Sequence, residues 1–276
     1  MVITRTRKSE FVKLFEKTPP GVVCPHFYEL ILSNGCPYKC SYCYLKLTFR
    51  GKTEPTLFEN EWSTVEKNLN RVKTGVFSTG ELADSLAVIP PLLPNALNYF
   101  TQQEKKYLLL VTKSSNVESF LKMKPDKHII ISFSINSIKS SVAFEHAAPD
   151  PIKRLETAKL LINLGWRVRI RLDPVILETG IENYEAICNE IAAIKPERVT
   201  VGTLRQYPGL FRFLPEAPRQ GLSMAEDGRM RYSASVRVNT YKQIADWLGF
   251  QPALCKETQE MWNMLGWEFK GCNCTP

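Results

Sequence analysis

The sequence predicts an α/β protein built as a partial (β/α)6 barrel. Six apolar, strand-like runs alternate with segments in which apolar residues recur every three or four positions, as they do on one face of a helix. These segments also carry boundary signals: Asp150 and Pro151 are typical of a helix start, and Gly165 of a helix end. Because strands that alternate with helices form parallel sheets, these two observations set the fold class.

The elements follow in order along the chain. Strands are predicted over residues 28–32, 75–80, 107–112, 128–135, 167–172 and 198–203. Helices are predicted over residues 60–72, 117–123, 151–164, 184–194, 235–248 and 257–265. We therefore expect a short N-terminal extension over residues 1–27, the barrel over 28–204, and a C-terminal loop–helix extension over 205–276 that ends in a cysteine-containing tail.

The composition is typical of a soluble globular enzyme, with 44% hydrophobic and 23% charged residues. Apolar runs are shorter than the roughly 18 residues of a membrane span, and no apolar stretch follows the basic N-terminus as in a secretory signal. We therefore expect a cytoplasmic protein with no membrane partner. The net charge of +8 favours an anionic partner such as nucleic acid, and eight cysteines suit metal binding in a reducing compartment.

Three cysteines, Cys36, Cys40 and Cys43, follow the first predicted strand at a C-x3-C-x2-C spacing. In α/β barrels the chemistry is found at this end of the strands. Three thiolates can bind three irons of a 4Fe-4S cluster and leave the fourth iron open, whereas a structural zinc site needs four ligands, for which Cys24 and His26 are candidates. The spacing resembles that of the radical S-adenosylmethionine (SAM) enzymes. This resemblance implies that SAM binds the fourth iron and is cleaved reductively to a 5′-deoxyadenosyl radical.

Further segments resemble the spore photoproduct lyase family of radical SAM enzymes, over roughly residues 28–178. In the order of the family they are Cys-Ser-Tyr-Cys-Tyr-Leu at 40–45, Val-Thr-Lys at 111–113, Ser-Phe-Ser-Ile-Asn-Ser at 132–137, Phe-Glu at 144–145, and the helix–glycine–strand run through 165–174. The resemblance implies that Lys113 and Ser134 contact SAM. Asn136 shares a strand face with Ser134, so we expect it to line the same site.

Two more regions are predicted to contact SAM or the substrate. Radical SAM proteins often carry a glutamate in a glycine turn after the second strand; Glu81 occupies that place, and Ser85 lies one turn further on. Three arginines alternate with apolar residues over 167–172 and so share one strand face. Like charges are buried together only when anions neutralise them. We expect Arg171 to meet the SAM carboxylate, a substrate phosphate or an acid such as Asp173, with salt bridges to helix carboxylates as the alternative.

The hydrogen-transfer residues are where the chain departs from the family. The bacterial spore lyase carries a hydrogen-donating cysteine in the loop after its second strand, and residues 81–86 contain none. Tyr42 and Tyr44 match the family's tyrosines beside the last cluster cysteine, which are associated with returning the hydrogen. The resemblance therefore implies roles for these two tyrosines but leaves the hydrogen donor open.

The tail cysteines Cys255, Cys272 and Cys274 have two interpretations. They could bind a second cluster or a zinc ion together with Cys24 or Cys188. Alternatively, one of them could reach the barrel mouth and replace the missing hydrogen donor. We favour an active-site thiol, with Cys272 and Cys274 as the candidates, because three tail cysteines fall one short of a cluster.

These observations predict an enzyme that cleaves SAM at a 4Fe-4S cluster and abstracts hydrogen from a substrate. The resemblance and the basic charge favour nucleic acid, such as a thymine photolesion in DNA, whereas the missing cysteine favours a reaction on a peptide or a small molecule. A one-electron reductant of the flavodoxin or ferredoxin type is the implied partner. The competing hypothesis is a non-enzymatic, zinc-stabilised nucleic-acid-binding protein, which would be colourless and would not need SAM.

Overall fold

The computed structural model describes residues 2–276. Its strands are β1 (Ile3–Arg5), β2 (Val12–Leu14), β3 (Val22–Val23), β4 (Tyr28–Leu30), β5 (Ser33–Asn34), β6 (Lys39–Cys40), β7 (Thr56–Phe58), β8 (Gly75–Ser78), β9 (Lys106–Thr112), β10 (Ile129–Ser134), β11 (Glu145–His146), β12 (Arg167–Val175), β13 (Arg198–Thr203), β14 (Arg205–Gln206), β15 (Ser223–Met224), β16 (Met230–Arg231), β17 (Ala253–Leu254) and β18 (Glu257–Thr258). Its helices are α1 (Leu45–Thr48), α2 (Trp62–Asn70), α3 (Leu93–Thr101), α4 (Glu118–Leu121), α5 (Ile138–Phe144), α6 (Pro151–Asn163), α7 (Glu185–Ile194), α8 (Ala234–Leu248) and α9 (Gln259–Leu265).

The main sheet has eight strands in the order β17-β13-β12-β10-β9-β8-β4-β2. The six predicted strands correspond to β4, β8, β9, β10, β12 and β13, which are parallel neighbours in chain order. Each is linked to the next by a segment that contains at least one helix. The prediction of an α/β fold with a parallel sheet is therefore confirmed.

Both segments outside the predicted barrel contribute a strand to this sheet. Within residues 1–27, β2 pairs antiparallel with β4 at one edge. From the C-terminal segment, β17 pairs parallel with β13 at the other edge. The division of the chain at residues 27 and 204 therefore stays a prediction from sequence pattern, and the sheet itself runs across both points.

The helices differ from the prediction in four places, two of which are the short helices α1 and α5, which the prediction omits. The helix predicted over residues 117–123 is the single turn α4. The prediction omits α3, because prolines interrupt its sequence, yet Pro94 lies in the first turn of α3, where its missing N–H costs no hydrogen bond. The longest helix, α8, has 15 residues. Among residues 2–276, no helix is long and apolar enough to cross a membrane.

The boundaries of α6 agree with the prediction. The carboxylate of Asp150 accepts a hydrogen bond from the backbone N–H of Ile152 at 2.7 Å, which caps the first turn. Pro151 is the first residue of the helix. Gly165 follows the last turn with a φ of +90°, a conformation that favours glycine. Local signals therefore define this helix at both ends.

The central strand β10 separates two cores. Ile129, Ile131 and Phe133 pack in the large apolar cluster between the sheet and the helices. The alternate residues of a strand face the other side of the sheet. A smaller cluster inside the barrel contains Phe15, Phe27, Val76, Leu109, Val111 and Ile130. The interior of the barrel is therefore partly filled by apolar side chains and partly by the polar groups described below.

We predict that Ile131→Ala destabilises the protein by about 2–5 kcal/mol, because it leaves a cavity in the fully buried centre of β10. Urea-induced unfolding followed by circular dichroism measures this change. Val142→Ala is the control, since Val142 is 73% exposed and its truncation should cost much less. Equal costs for the two substitutions would contradict the assignment of Ile131 to the core.

Candidate active site

A cavity of about 440 Å³ opens at the carboxyl ends of the parallel strands. Its walls come from the cysteine loop after β4, from the ends of the barrel strands and from the last residues of the chain. The predicted site residues that line it are Cys36, Cys40, Tyr42, Cys43, Tyr44, Glu81, Lys113, Ser134, Arg171, Cys272 and Cys274. Residues from distant parts of the sequence therefore meet at one site.

Backbone hydrogen bonds and a glycine set the conformation of the cysteine loop, residues 36–43. The N–H of Cys36 donates to the carbonyl of Thr53 at 2.8 Å, and the N–H of Cys43 donates to the carbonyl of Cys40 at 3.1 Å. Gly35 precedes the loop with a φ of +78°, and a Cβ there would lie 2.4 Å from the carbonyl oxygen of Glu54, so only glycine fits. The three cysteines are free thiols that face the same cavity.

Burial raises the pKa of the Cys36 thiol to about 12, and it also raises the pKa of the thiols of Cys40 and Cys43 above their ordinary values. These thiols are therefore protonated at neutral pH without a metal. Metal ligation requires the thiolate form, so binding would release these protons.

Among residues 2–276, no three histidine, cysteine, aspartate or glutamate side chains are arranged to hold a metal ion. A zinc ion needs four ligands, with sulfurs about 2.3 Å from the metal. This finding covers Cys36, Cys40 and Cys43 as well as the tail cysteines, so it does not separate the cluster from the zinc alternative. Cys188 is fully buried in the outer apolar core.

Lys113 lies on the cavity wall directly after β9, as the sequence predicts. Its Nζ is 3.8 Å from Oε1 of Glu145 and 5.6 Å from the ring centroid of Tyr42. Its backbone N–H donates to the carboxylate of Asp84 at 2.6 Å. The ammonium group is only partly exposed, and it adds a positive charge to the wall beside the cysteine loop.

Glu145 is the buried anion behind this wall, and the sequence pattern predicts no role for it. It accepts hydrogen bonds from the hydroxyl of Tyr42 and from Nδ2 of Asn136, the latter at 3.1 Å, and it forms an ion pair with Arg154 at 2.6 Å. Burial alone would raise the pKa of Glu145, but the charges of Lys113 and Arg154 outweigh burial and lower it. Glu145 is therefore ionised at neutral pH.

The two tyrosines have different environments. The hydroxyl of Tyr42 donates to Glu145, and burial together with this carboxylate raises the pKa of Tyr42 well above its ordinary value. The hydroxyl of Tyr44 donates to the backbone carbonyl of Glu81, and Tyr44 is 41% exposed. Tyr44 is therefore the more accessible of the two.

Ser85 and Asn136, both predicted to contact SAM, do not line the cavity. Oγ of Ser85 accepts hydrogen bonds from the backbone N–H of Val111 at 2.9 Å and from the hydroxyl of Thr79 at 2.7 Å. Asn136 is buried behind the wall, where Oδ1 accepts from the hydroxyl of Tyr184 at 2.6 Å. Strand parity gives the face on which a residue lies, but these polar groups already have partners within the fold; contact of Ser85 or Asn136 with SAM stays a prediction.

Arg171 meets Asp173, one of the partners predicted for it. Nη2 of Arg171 lies 2.5 Å from the carboxylate of Asp173 and 3.6 Å from the sulfur of Cys255. Arg205 donates to the other oxygen of the same carboxylate at 2.8 Å. Asp173 is thus shared by two guanidinium groups that line the cavity. Burial alone would raise the pKa of Asp173, but the charges of Arg205 and Arg171 outweigh it and hold that pKa well below its ordinary value.

The tail enters the barrel and forms the floor of the cavity. Nη1 of Arg169 donates to the carbonyls of Asn273 at 2.8 Å and Thr275 at 2.6 Å, and Oγ of Ser132 donates to Oδ1 of Asn273 at 2.7 Å. Nη1 of Arg198 donates to the carbonyl of Cys272 at 2.6 Å. Three interior polar side chains, which would be unfavourable in an apolar barrel, are thereby satisfied by the backbone and amide groups of the tail.

The fold and the site together define a radical SAM protein. The family model for spore photoproduct lyase matches residues 15–204, which is more than half of the sequence, and the chain belongs to that family.

Among curated proteins, the spore photoproduct lyase of Clostridium acetobutylicum is 27% identical over 171 residues, which are 58% of this chain and 50% of the relative. The spore photoproduct lyase of Bacillus subtilis is 24% identical over 180 residues, which are 62% of this chain and 53% of the relative. The chain thus spans about half the length of the curated relatives it matches.

Solved structures agree in fold. A spore photoproduct lyase complexed with dinucleoside spore photoproduct has a TM-score of 0.73 at 16% identity, covering 92% of this chain and 81% of that one. A mutant of spore photoproduct lyase with bound AdoMet and dinucleoside spore photoproduct gives the same TM-score and identity, with 94% and 82% covered. Streptococcus suis SuiB bound to precursor peptide SuiA has a TM-score of 0.57 at 14% identity, covering 84% and 48%.

We predict that Asp173→Asn lowers the free energy of unfolding by about 3–5 kcal/mol at pH 7, because it leaves two buried guanidinium groups without their anion. The folded pKa of Asp173 is depressed, so its stabilisation is complete above the unfolded value of about 3.9 and is lost as the pH falls towards the folded pKa. The difference between wild type and variant should therefore be constant from pH 7 to about pH 5 and shrink below about pH 4.

Urea titrations at a series of pH values measure this difference. Asp246→Asn is the matched control, because Asp246 lies on the exposed side of α8. A difference between wild type and Asp173→Asn that stays unchanged down to pH 3 would argue against a depressed pKa.

Proposed function

We propose that this protein is a radical SAM enzyme that binds a 4Fe-4S cluster through Cys36, Cys40 and Cys43 and binds SAM in the adjoining cavity. The observation that carries the proposal is that three free thiols and the polar residues of the wall face one cavity at the carboxyl ends of the strands. This is the end at which barrels of this kind hold their active sites.

The residues present fit the cluster. The donor set is three cysteine sulfurs, which is the ligand type that iron–sulfur clusters take. When bound, the cluster supplies the electron that cleaves SAM to methionine and a 5′-deoxyadenosyl radical, which abstracts hydrogen from the substrate. The protein contributes the binding, orientation and exclusion of water that this cofactor chemistry requires.

The wall residues are suited to a zwitterionic ligand such as SAM. Lys113 presents an ammonium group that can bind a carboxylate or a ribose hydroxyl, and the Ser134 hydroxyl can donate or accept. The carboxylate of Glu81 can balance an amino group. Arg171 is already paired with Asp173, so in this proposal its free donor positions serve SAM or the substrate.

A tail thiol is proposed as the hydrogen donor that the loop after the second strand lacks. Cys272 and Cys274 line the cavity together with Cys255. Transfer of a hydrogen atom from a thiol to the substrate radical forms the product C–H bond and leaves a sulfur-centred radical. Tyr42 and Tyr44 both line the cavity and are the residues proposed to pass hydrogen between that sulfur and 5′-deoxyadenosine; Tyr44 is the more exposed residue.

The substrate we propose is a thymine photolesion in DNA. Membership of the spore photoproduct lyase family and the net charge of +8 support this choice. Cationic and aromatic side chains also line the cavity: the guanidinium of Arg229 is 5.2 Å from the ring centroid of Tyr207, and Lys17 and Lys256 are further lining residues. Such groups bind phosphates and stack on bases.

Two further parts of the proposal concern the cellular setting. The one-electron reductant is a protein of the flavodoxin or ferredoxin type, since cleavage of SAM consumes one electron. All eight cysteines are free, which supports a reducing compartment such as the cytoplasm.

We expect Cys40→Ala to lose the cluster and the brown colour, and to retain less than a tenth of the iron and sulfide of the wild type. Anaerobic purification followed by metal analysis and visible absorption measures this. Cys188→Ala is the control, because Cys188 is buried in the outer core away from the cavity. A colourless wild type with one tightly bound zinc would refute the cluster assignment.

The activity test measures 5′-deoxyadenosine formed from SAM under dithionite, with and without ultraviolet-irradiated DNA. We expect cleavage that increases with the damaged DNA and is accompanied by restored thymines, and none in Cys40→Ala. The double variant Cys272→Ala/Cys274→Ala should still form 5′-deoxyadenosine but should restore at least tenfold less thymine, because neither proposed donor thiol is left to quench the substrate radical.

Cleavage that does not respond to DNA would keep the radical SAM assignment and reject the lesion, in favour of a peptide or small-molecule substrate. An intact cluster that cleaves no SAM would reject the proposed reaction.

A further inference from the structure

The two cysteines of the tail are held as a pair within one β-turn. The N–H of Thr275 donates to the carbonyl of Cys272 at 3.2 Å, which closes the turn, and the hydroxyl of Thr275 accepts from the N–H of Cys272 at 3.1 Å. The N–H of Cys274 donates to the sulfur of Cys272 at 3.4 Å. The sulfur of Cys272 therefore lies over the backbone of Cys274.

The turn is fixed on several sides. Arg169 and Arg198 bind its carbonyls, and Ser132 binds the side chain of Asn273. Gly271 enters the turn with a φ of +108°, and a Cβ there would lie 3.2 Å from the guanidinium of Arg198. The two thiols are thus presented in a single, preorganised arrangement at the cavity floor.

The two sulfurs differ in character. The Cys274 thiol, hydrogen-bonded to Cys272, lowers the pKa of Cys272, whereas the same interaction raises the pKa of Cys274. The backbone N–H of Cys274 also donates to the sulfur of Cys272, which favours a thiolate at that position. A thiolate beside a thiol is the arrangement from which thiol–disulfide exchange proceeds.

We propose that Cys272 and Cys274 form a reversible dithiol–disulfide pair at the floor of the cavity. In the oxidising step the Cys272 thiolate attacks a small disulfide, which releases one small thiolate and leaves a mixed disulfide on Cys272. Cys274 then loses its proton and attacks the sulfur of Cys272, which releases the second small thiolate. Two protein thiols are oxidised and one small disulfide is reduced to two thiols.

Other pairings are less favourable. Cys24 directs its thiol towards the carbonyl of Pro25 at 3.8 Å, and Cys255 lies 3.6 Å from the guanidinium of Arg171, beside the ion pair with Asp173. Cys188 is enclosed in the outer core. Among these cysteines, Cys272 and Cys274 are the two that share a turn and are joined by a hydrogen bond, from the N–H of Cys274 to the sulfur of Cys272.

The effect of this dithiol–disulfide pair on the reaction rests on the proposed function, in which a tail thiol donates hydrogen to the substrate radical. The dithiol carries a hydrogen that can be given to a substrate radical, and the disulfide carries none. The redox state of the tail therefore decides whether the second half of the reaction can proceed, while leaving the cysteine loop and the SAM contacts unchanged.

The experiment equilibrates the anaerobic holoenzyme with mixtures of hydroxyethyl disulfide and mercaptoethanol and stops thiol exchange with acid. The protein is then denatured, its free thiols are alkylated with excess reagent at neutral pH, and it is digested with trypsin. Cleavage after Lys270 releases residues 271–276 as one peptide that contains both cysteines. We expect this peptide to pass from two alkyl groups to none, with the loss of two hydrogens, in a single two-electron transition.

Cys255→Ser is the matched control, because Cys255 also lines the cavity; it should leave this transition in place. Cys272→Ser should abolish the transition and leave Cys274 alkylated or in a mixed disulfide. A peptide that keeps two alkyl groups at every mixture, or a crosslink from Cys274 to Cys24 or Cys255, overturns the proposal. The measurement uses neither SAM nor DNA, so it is independent of whether the proposed reaction is correct.

Discussion

The guanidinium group of Arg169 is the constraint on which the floor of the active site depends. It lies fully buried inside the barrel on β12, where desolvation lowers its pKa. A charge in such a place is stable only when anions and acceptors surround it. Glu197 supplies the anion at 3.0 Å, and the carbonyls of the tail supply the remaining acceptors. The guanidinium of Arg169 therefore needs the carbonyls of the tail as acceptors, and these contacts place Cys272 and Cys274 at the cavity.

The opposite wall depends on a second buried charge. The backbone of Glu145 pairs with that of Cys40 in the short antiparallel ladder of β11 and β6. Its carboxylate forms ion pairs with Arg154 and Lys113 and accepts a hydrogen bond from the hydroxyl of Tyr42. It therefore connects the backbone of the cysteine loop to side chains from β9 and α6. Removing one member of such a network leaves other buried groups unsatisfied, so the loop and the wall are positioned as one unit.

Local patterns account for what could be predicted from the sequence. The strands and helices of the barrel have clear periodicities, and the boundary signals of α6 lie within its own segment. The three cysteines, the tyrosines beside them and Lys113 could also be predicted as site residues, because the spacing and the family segments identify them. α3 was not, since a proline in the first turn of a helix has the same sequence appearance as a helix break.

Long-range partners account for what could not be predicted. Strand parity puts Asn136 on the same face as Ser134, but it cannot reveal that Tyr184, 48 positions away, occupies its side chain. The hydroxyl of Tyr42 and the carboxylate of Glu145 are 103 positions apart. The alternating arginines predict buried anions, but a strand pattern cannot choose between SAM, a phosphate and protein carboxylates, and it gives no sign that the carbonyls of the tail also bind these arginines.

The contacts that hold the tail inside the barrel also bear on the order of folding. Ser132 and Asn273 are 141 positions apart in the chain, and Arg169 and Thr275 are 106 apart. Contacts that close such long loops carry a large entropic cost and form after local ones. Neighbouring strands of the sheet can pair before the C-terminal turn is in place. The floor of the cavity therefore depends on contacts of long sequence separation, which favours its forming after those strands have paired.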